Sequence, residues 1–562
     1  MQVKKTAGIA LVAATALVLG ACGGGNASKN GASGDKPALP GSDVTRVDRA
    51  KLKQGGNLNL ALSSKLTQFL YGHAEGTQKD NGTLFGYTMP NNWIVSEKGE
   101  VDINPDYLTK YEMKDKDLPA GTAMEITLDL NPKGVWNDGT PITWEDYEAT
   151  WKAWLNEKNN VASRGGWAEI SSISKGKDEY QVKIDFSNPY PDWMGTLNAP
   201  LAKKSIDTPE KFKSWTDPTK ELKQYGAGPF IVDSWNAGTG DIIMKRNDKW
   251  WGKPALLDTI SFRVLDVQAL PGAFASGQID VYEDIANAAQ YETAKKRKDA
   301  DIKMSASTTW RHFTFNAAKG SALEDPALRK AIFQGVNTKE IIASDLAGLP
   351  YAKLDISLGN HIFLPGQIGY EDHAIKYDPE AAKKTLEDAG YKKNGEFYEK
   401  DGKRASFAFS ALTGVPASEN EAAILKDQMK EIGVEVKVQN TPQQDFGPVL
   451  DQRKFQSIAF SWIGTLFPMG SSLNQVYGSD GGSNFTGQKL PELDKLFNQI
   501  KTTLNQDERR KLANEADKKI WEAGMNLPLY YRPALTGVRK DLANIGATQF
   551  ETFLPENIGF MK

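Results

Sequence analysis

The sequence predicts an α/β protein with more than one domain, and three observations carry that expectation. The chain has 562 residues, more than one hydrophobic core accommodates. Residues 226–264 read as three strands of one sheet: Phe230, Val232 and Ser234 alternate with their neighbours, residues 236–241 form a Gly-rich turn, and residues 242–245 and 260–264 return. From Ala405 onward a βα unit follows, with strand 406–411, helix 421–432, Gly433, then strand 434–438. Hydrophobic content of 40% and charged content of 25% are those of an ordinary soluble globular protein. A net charge of -3, with Lys and Arg spread among acids, gives no argument for nucleic acid.

The chain opens with a secretory leader. Lys4 and Lys5 supply its positive end, and residues 7–19 form an apolar run too short for a permanent membrane anchor. Leu19-Gly20-Ala21-Cys22 looks like a lipobox, which makes Cys22 the lipidated first residue of the mature chain. Cys22 is the sole cysteine, so no intramolecular disulfide forms. Residues 23–53 read as a flexible tether, beginning with a Gly/Ser/Asn/Lys stretch that cannot build a core.

Beyond it, residues 54–62 (QGGNLNLAL) give a first strand and residues 124–130 alternate as another. In VWNDGTP, Gly139 can take positive φ at no cost. Thr143 with Asp146 is a capping box, with Asp for the usual Glu or Gln. Tyr147, Trp151, Trp154 and Leu155 then share one helical face, which suits packing on a sheet better than a ligand platform. Further strands are expected at 180–186, 302–316 and 457–462, and a final one at 527–532. Trp310, His312 and Thr314 face one side of the second of these. Residues 200–225, 445–450, 491–502 and 508–524 are expected to be helical.

Motifs for covalent chemistry are absent. His73, His312, His361 and His373 are in no metal-ligand spacing, and no GxSxG or Walker A string occurs. Asp102, Asn104 and Asp106 start like a calcium loop, which then fails at Tyr107 and Met113. The expectation is a protein that is not an enzyme and uses no cofactor or metal.

The run from GAGPF through RNDKWWG to LLDTI resembles the central segment of the family 5 extracellular solute-binding proteins, the peptide- and nickel-type binding components of ABC importers. DGTPITWED, SGQID, the helix of Asp325 to Ile332, and YDPEAAK from Tyr377 are similar too, and the resemblance runs from about residue 54 to the end. It implies an α/β, two-lobed periplasmic-binding-protein-like fold of class II with an extra subdomain in the first lobe. Lobe I is then 54–84, 200–304 and 530–562, the subdomain 85–199 and lobe II 305–529. The implied function is capture of a peptide-like solute by a monomeric, lipid-anchored, extracytoplasmic protein that delivers it to an ABC permease and its ATPase. A non-peptide solute, such as an oligosaccharide or metal chelate, or a regulatory scaffold role in the cell envelope, are the alternatives.

The resemblance also implies a site. Ser461, Trp462 and Thr465 lie at the cleft-facing strand end, and Asn484 in a Gly-rich loop reaching the cleft. Trp310 and His312 enter the second lobe, Asn92 and Trp93 lie in the first lobe's cleft region, and Tyr531 lies near the last hinge crossing. Core packing, ordinary loop roles and backbone bonding are the competing readings of these residues. In peptide-binding members an acid three residues after the strand-end Trp pairs with the ligand's amino terminus; position 465 is Thr. A buried ammonium without a carboxylate is costly, so Glu75 or Asp480 meets the amine, or the ligand has none.

Overall fold

Alternation of apolar and polar side chains fixes the first sheet. The computed structural model describes residues 39–351 and 354–562; the leader, Cys22 and residues 23–38 of the expected tether lie outside them. Phe230–Trp235, Ile242–Arg246 and Thr259–Val264 form an antiparallel ladder, and Asn57–Leu62 adds in parallel to Thr259–Val264. Leu58, Leu62, Phe230, Val232, Ile260 and Phe262 all point into one core. Gly226 and Gly228 admit this ladder by close approach. A Cβ at either would lie 2.5 Å from a carbonyl oxygen, of Leu222 and of Tyr87 respectively.

An antiparallel sheet in the order Leu108–Lys114, Met124–Leu130, Gln181–Phe186, Ile170–Lys175 shares that core. The helix Trp144–Leu155 lies against it, with Tyr147 buried and Trp151, Trp154 and Leu155 packed alongside. The aromatic stripe is therefore a packing face.

The largest sheet is mixed and six-stranded, in the order Val281–Tyr282, Asn526–Arg539, Ala300–Phe315, Ser457–Ile463, Ser406–Thr413, Glu435–Pro442. Its βα unit keeps strands Ser406–Thr413 and Glu435–Pro442 parallel across the helix Pro416–Glu431. Phe313, Phe409, Leu425 and Leu529 belong to this second core, and the helices Pro491–Thr502 and Gln506–Ala523 build a third around Leu493, Phe497 and Ile520.

Two long strands run through the molecule. Ala300–Phe315 pairs with Asn526–Arg539, and the register breaks between Ala306 and Trp310 and again between Arg311 and His312. Both breaks fall beside a proline, Pro533 opposite Ala306 and Pro528 opposite His312, where the ladder loses a donor. The expected strand at 527–532 is thus longer, and it is not the last: Leu542–Ala543, Gly546–Thr548 and Gly559–Phe560 follow. The expected tether is also shorter than 23–53. Ser42–Val44 pairs with Gly546–Thr548, the Ala306 N–H donates to the Pro40 carbonyl, and Leu52 is buried.

Candidate functional site

Strand Ser457–Ile463 lies beside the first long strand, Trp462 opposite Trp310 and Phe460 opposite His312. Tyr531 stands across from Trp310 on the other side. These pairs put Trp310, His312, Phe460 and Trp462 on one face, where their rings touch: His312 is 4.9 Å from Trp310 and 4.3 Å from Phe460, and lies nearly parallel to Trp462 at 5.8 Å. Trp462 in turn stacks on Phe485 at 6.0 Å with an interplanar angle of 4°.

His312 is fully buried. Its Nδ1 lies 3.1 Å from the Thr314 hydroxyl, and its Nε2 has no partner. Burial, helped by the charge of Arg311, holds it neutral, its pKa well below the usual histidine value. The Trp462 indole N–H is likewise buried without an acceptor. On the opposite face, Arg311 makes bidentate bonds of 2.7 and 2.6 Å to Glu421, and Tyr530 donates to Asp345. Burial and the Glu421 charge push the Asp345 carboxyl up to about 8.

The strand end then turns outward. Ile463 is 73% exposed, the Gly464 N–H donates to the Thr308 carbonyl, and Thr465 is exposed with its carbonyl accepting from the Gln367 amide at 3.1 Å. Between Ile463, the bulged residues 307–309, residues 283–286 and residues 532–536 lies a cavity of about 600 Å³. Its ionised groups are Glu283 and Asp284, both paired with Lys79, and Arg532, which donates to the Ala286 carbonyl.

The remaining sequence-expected residues stand elsewhere. Asn92 is fully buried, donating to Tyr147 and the Leu197 carbonyl at 2.9 and 2.7 Å. Trp93 is buried, its indole bonded to the Met194 carbonyl and its ring against Tyr111 and Trp193. Asn484 is a turn residue whose amide bonds Gly478 and Gln488 and whose oxygen accepts from Thr486. The Tyr531 hydroxyl bonds the backbone of Leu39. Glu75 lies exposed on its loop, and Asp480 is turned to solvent against Lys489. Sequence reasoning missed Arg532 and the pair Glu283–Asp284. Asp284 takes a φ of 58° after a two-residue strand, with no periodic pattern to announce it.

One contact between distant parts of the chain stands out by its burial. Arg509, on helix Gln506–Ala523, makes two 2.6 Å bonds to Asp192, next to helix Trp193–Thr196 of the antiparallel-sheet region. Both side chains are under a tenth exposed, and Arg509 also donates to the Ile500 and Met469 carbonyls.

Solved structures identify the class of fold. The chain is similar to a periplasmic EDTA-binding protein, EppA, with a TM-score of 0.78 and 21% identity, covering 93% of this chain and 98% of that one. It is also similar to the oligopeptide-binding protein AppA of Bacillus subtilis in complex with a nonapeptide, with a TM-score of 0.67 and 20% identity, covering 91% and 100%. The fold is that of the two-lobed periplasmic binding proteins. The family model for bacterial extracellular solute-binding proteins, family 5, matches residues 119–484, and the chain belongs to that family. A curated relative, the oligopeptide-binding protein OppA of Mycobacterium tuberculosis, is 33% identical over 531 residues, 93% of this chain and 87% of its own. Among the described residues no helix is long and apolar enough to cross a membrane, and no group of three or more His, Cys, Asp or Glu is arranged to hold a metal ion.

Proposed function

We propose that this protein captures an oligopeptide-like solute outside the cytoplasm and delivers it to an ABC permease driven by its ATPase, while a lipid on Cys22 holds it at the membrane. The observation that carries the reading is the cavity of about 600 Å³ at the break between the two long strands. It opens where the aromatic strand ends, has walls from both sides of the crossing, and falls in the size range of small-ligand sites. Hinge closure over a bound solute follows if the lobes divide near residues 304 and 530. Ser461, Trp462 and Thr465 are the proposed contacts from the second lobe, with Ile463, Arg532, Glu283 and Asp284 around the cavity. Asn92, whose amide N–H groups bond Tyr147 and Leu197, and Asn484, whose amide is spent on its own turn, are assigned to folding. A monomer suffices, because one chain supplies every wall.

A second reading, a metal chelate or other non-peptide solute, is favoured by Thr465 where a carboxylate would meet a peptide amine. The likeness to an EDTA-binding protein also supports it.

The test is native mass spectrometry of the gently purified protein, then thermal shift with the released compounds added back after emptying by unfolding. A ligand at 100 times its dissociation constant stabilises by about 2.7 kcal/mol. Peptides that restore the shift support the first reading, and chelates or sugars the second. A protein that emerges empty and is not stabilised by either class overturns both in favour of a scaffold role.

A further inference from the structure

A second cavity, of about 400 Å³, lies where the antiparallel-sheet region meets the segment after Trp462. Its walls are strongly apolar. Tyr111, Met113 and Met194 come from one side, and Ile368, Leu466 and Phe467 from the other. Tyr111, Met113 and Ile368 are left 38%, 41% and 52% exposed, so large hydrophobic surface is held open to water here. The cavity adjoins the strand end of the candidate site along the chain: Leu466 directly follows Thr465, and Gln367, which also lines the cavity, donates to the Thr465 carbonyl. One wall is closed by the Arg509–Asp192 pair.

We propose that this cavity is a subsite for one large apolar side chain of the captured solute, an assignment that rests on the solute-capture reading above. The volume decides the kind of occupant. It suits one bulky side chain with adjoining backbone, whereas a partner's helix, about 10 Å across with its side chains, does not fit. Charge decides what it rejects. Lys98, Arg509 and Arg510 line the cavity, Arg509 bonded to Asp192 and Arg510 to Asp507, and the one carboxylate in the lining, Asp192, is already engaged. A lysine or arginine side chain would enter beside three cations, meet no uncommitted carboxylate in the lining and lose its hydration. The subsite therefore selects phenylalanine- or leucine-like groups and discriminates against cations. Because its walls come from two parts of the chain, filling it favours the arrangement in which Arg509 meets Asp192.

The test uses the purified full chain and alanine pentapeptides carrying phenylalanine, leucine or lysine at each position in turn, with binding measured by calorimetry. At one position phenylalanine and leucine are expected to bind about ten-fold or more tighter than alanine, consistent with burial of a side chain of that size, and lysine weaker than alanine. A peptide with benzoyl-phenylalanine at that position is expected to photo-cross-link to Met113, Met194 or Met469. Met194→Trp, which fills the cavity, is expected to erase the preference for phenylalanine. If the all-alanine parent binds and the series is flat, the subsite is overturned while solute capture stands. Cross-links confined to residues 283–286 or 532–536 overturn it as well, since the gain would then arise in the other cavity. If no peptide binds, parent included, peptide capture fails and takes the subsite with it.

Discussion

Asp146 shows how much a single side chain can organise. Its carboxylate accepts from the Thr143 N–H at 3.0 Å, the Lys203 N–H at 2.8 Å and the Trp136 indole at 3.2 Å. It thus caps one helix, fixes the start of a later one at Lys203 and holds the NDGT turn, whose Gly139 takes a φ of 87°. Burial pushes its pKa up, in opposition to those bonds. Asp146→Ala leaves one buried and two part-buried donors without their acceptor and is expected to lower unfolding free energy by about 3 kcal/mol, read as a fall in urea midpoint at constant m-value. The Thr143–Asp146 half of this was legible in sequence because a capping box is local. The Lys203 and Trp136 bonds were not, since nothing in the intervening residues marks them. Gly226 and Gly228 teach a related lesson. Their identity was readable, but the reason, a neighbouring carbonyl, belongs to tertiary structure.

At the scale of elements, periodicity located the strands and helices well where pairing follows the local pattern, as in Met124–Leu130 and Pro491–Thr502. It stopped short at Pro533, because a residue without an N–H ends a pattern even where a partner strand carries the ladder past it. The long connection between helices Thr338–Asp345 and Pro379–Asp388 had no pattern to read. It is tied down by side chains. Asp517 accepts from His361 at 2.8 Å and from His373 at 2.6 Å. His373 also meets Glu371 at 3.1 Å, with Lys518 and Asn514 on the far side of that carboxylate and Tyr477 and Trp521 against the His361 ring. Burial opposes charging of His373, but the bonds to Asp517 and Glu371 prevail and raise its pKa, while those from both histidines lower that of Asp517. The His373 contribution is therefore complete below about pH 6.5 and lost as pH rises through its elevated value; the Asp517 contribution is lost only in strong acid. His312, buried and neutral, acts oppositely and costs stability as pH falls below about 6.5. Hydrogen exchange across residues 355–375 should accelerate beyond its intrinsic pH dependence between pH 6 and 8. His373→Gln should abolish that excess.

At the scale of the whole molecule, an ion pair between residues 317 positions apart ties helix Gln506–Ala523 to the antiparallel-sheet region, and no local reading could have found it. Lys501–Glu169 spans the same junction, but Lys501 is largely solvated, so it adds little. Removing one partner of a buried pair strands the other, at about 3–5 kcal/mol. Asp192→Asn should therefore shift the population toward a more open form, seen as a larger radius of gyration in small-angle scattering, and weaken solute binding in proportion to the closed fraction lost. Unchanged scattering would mean that the pair stabilises a junction that does not move. The candidate site was legible only in part: its aromatic strand end could be read from Trp462, but the walls facing it come from residues far away in sequence.

The pairing of Ser42–Val44 with Gly546–Thr548 has a mechanical consequence. Asp43 accepts from the Met304 N–H, and Pro40 from Ala306, so the incoming chain is zipped along the long strand just before its register breaks. If the lobes divide at that break, as proposed above, a pull transmitted through residue 40 is delivered at the pivot and at neither jaw. A mooring at the axle exerts almost no torque on the jaws, so tension on the chain leaves the work of opening and closing unchanged.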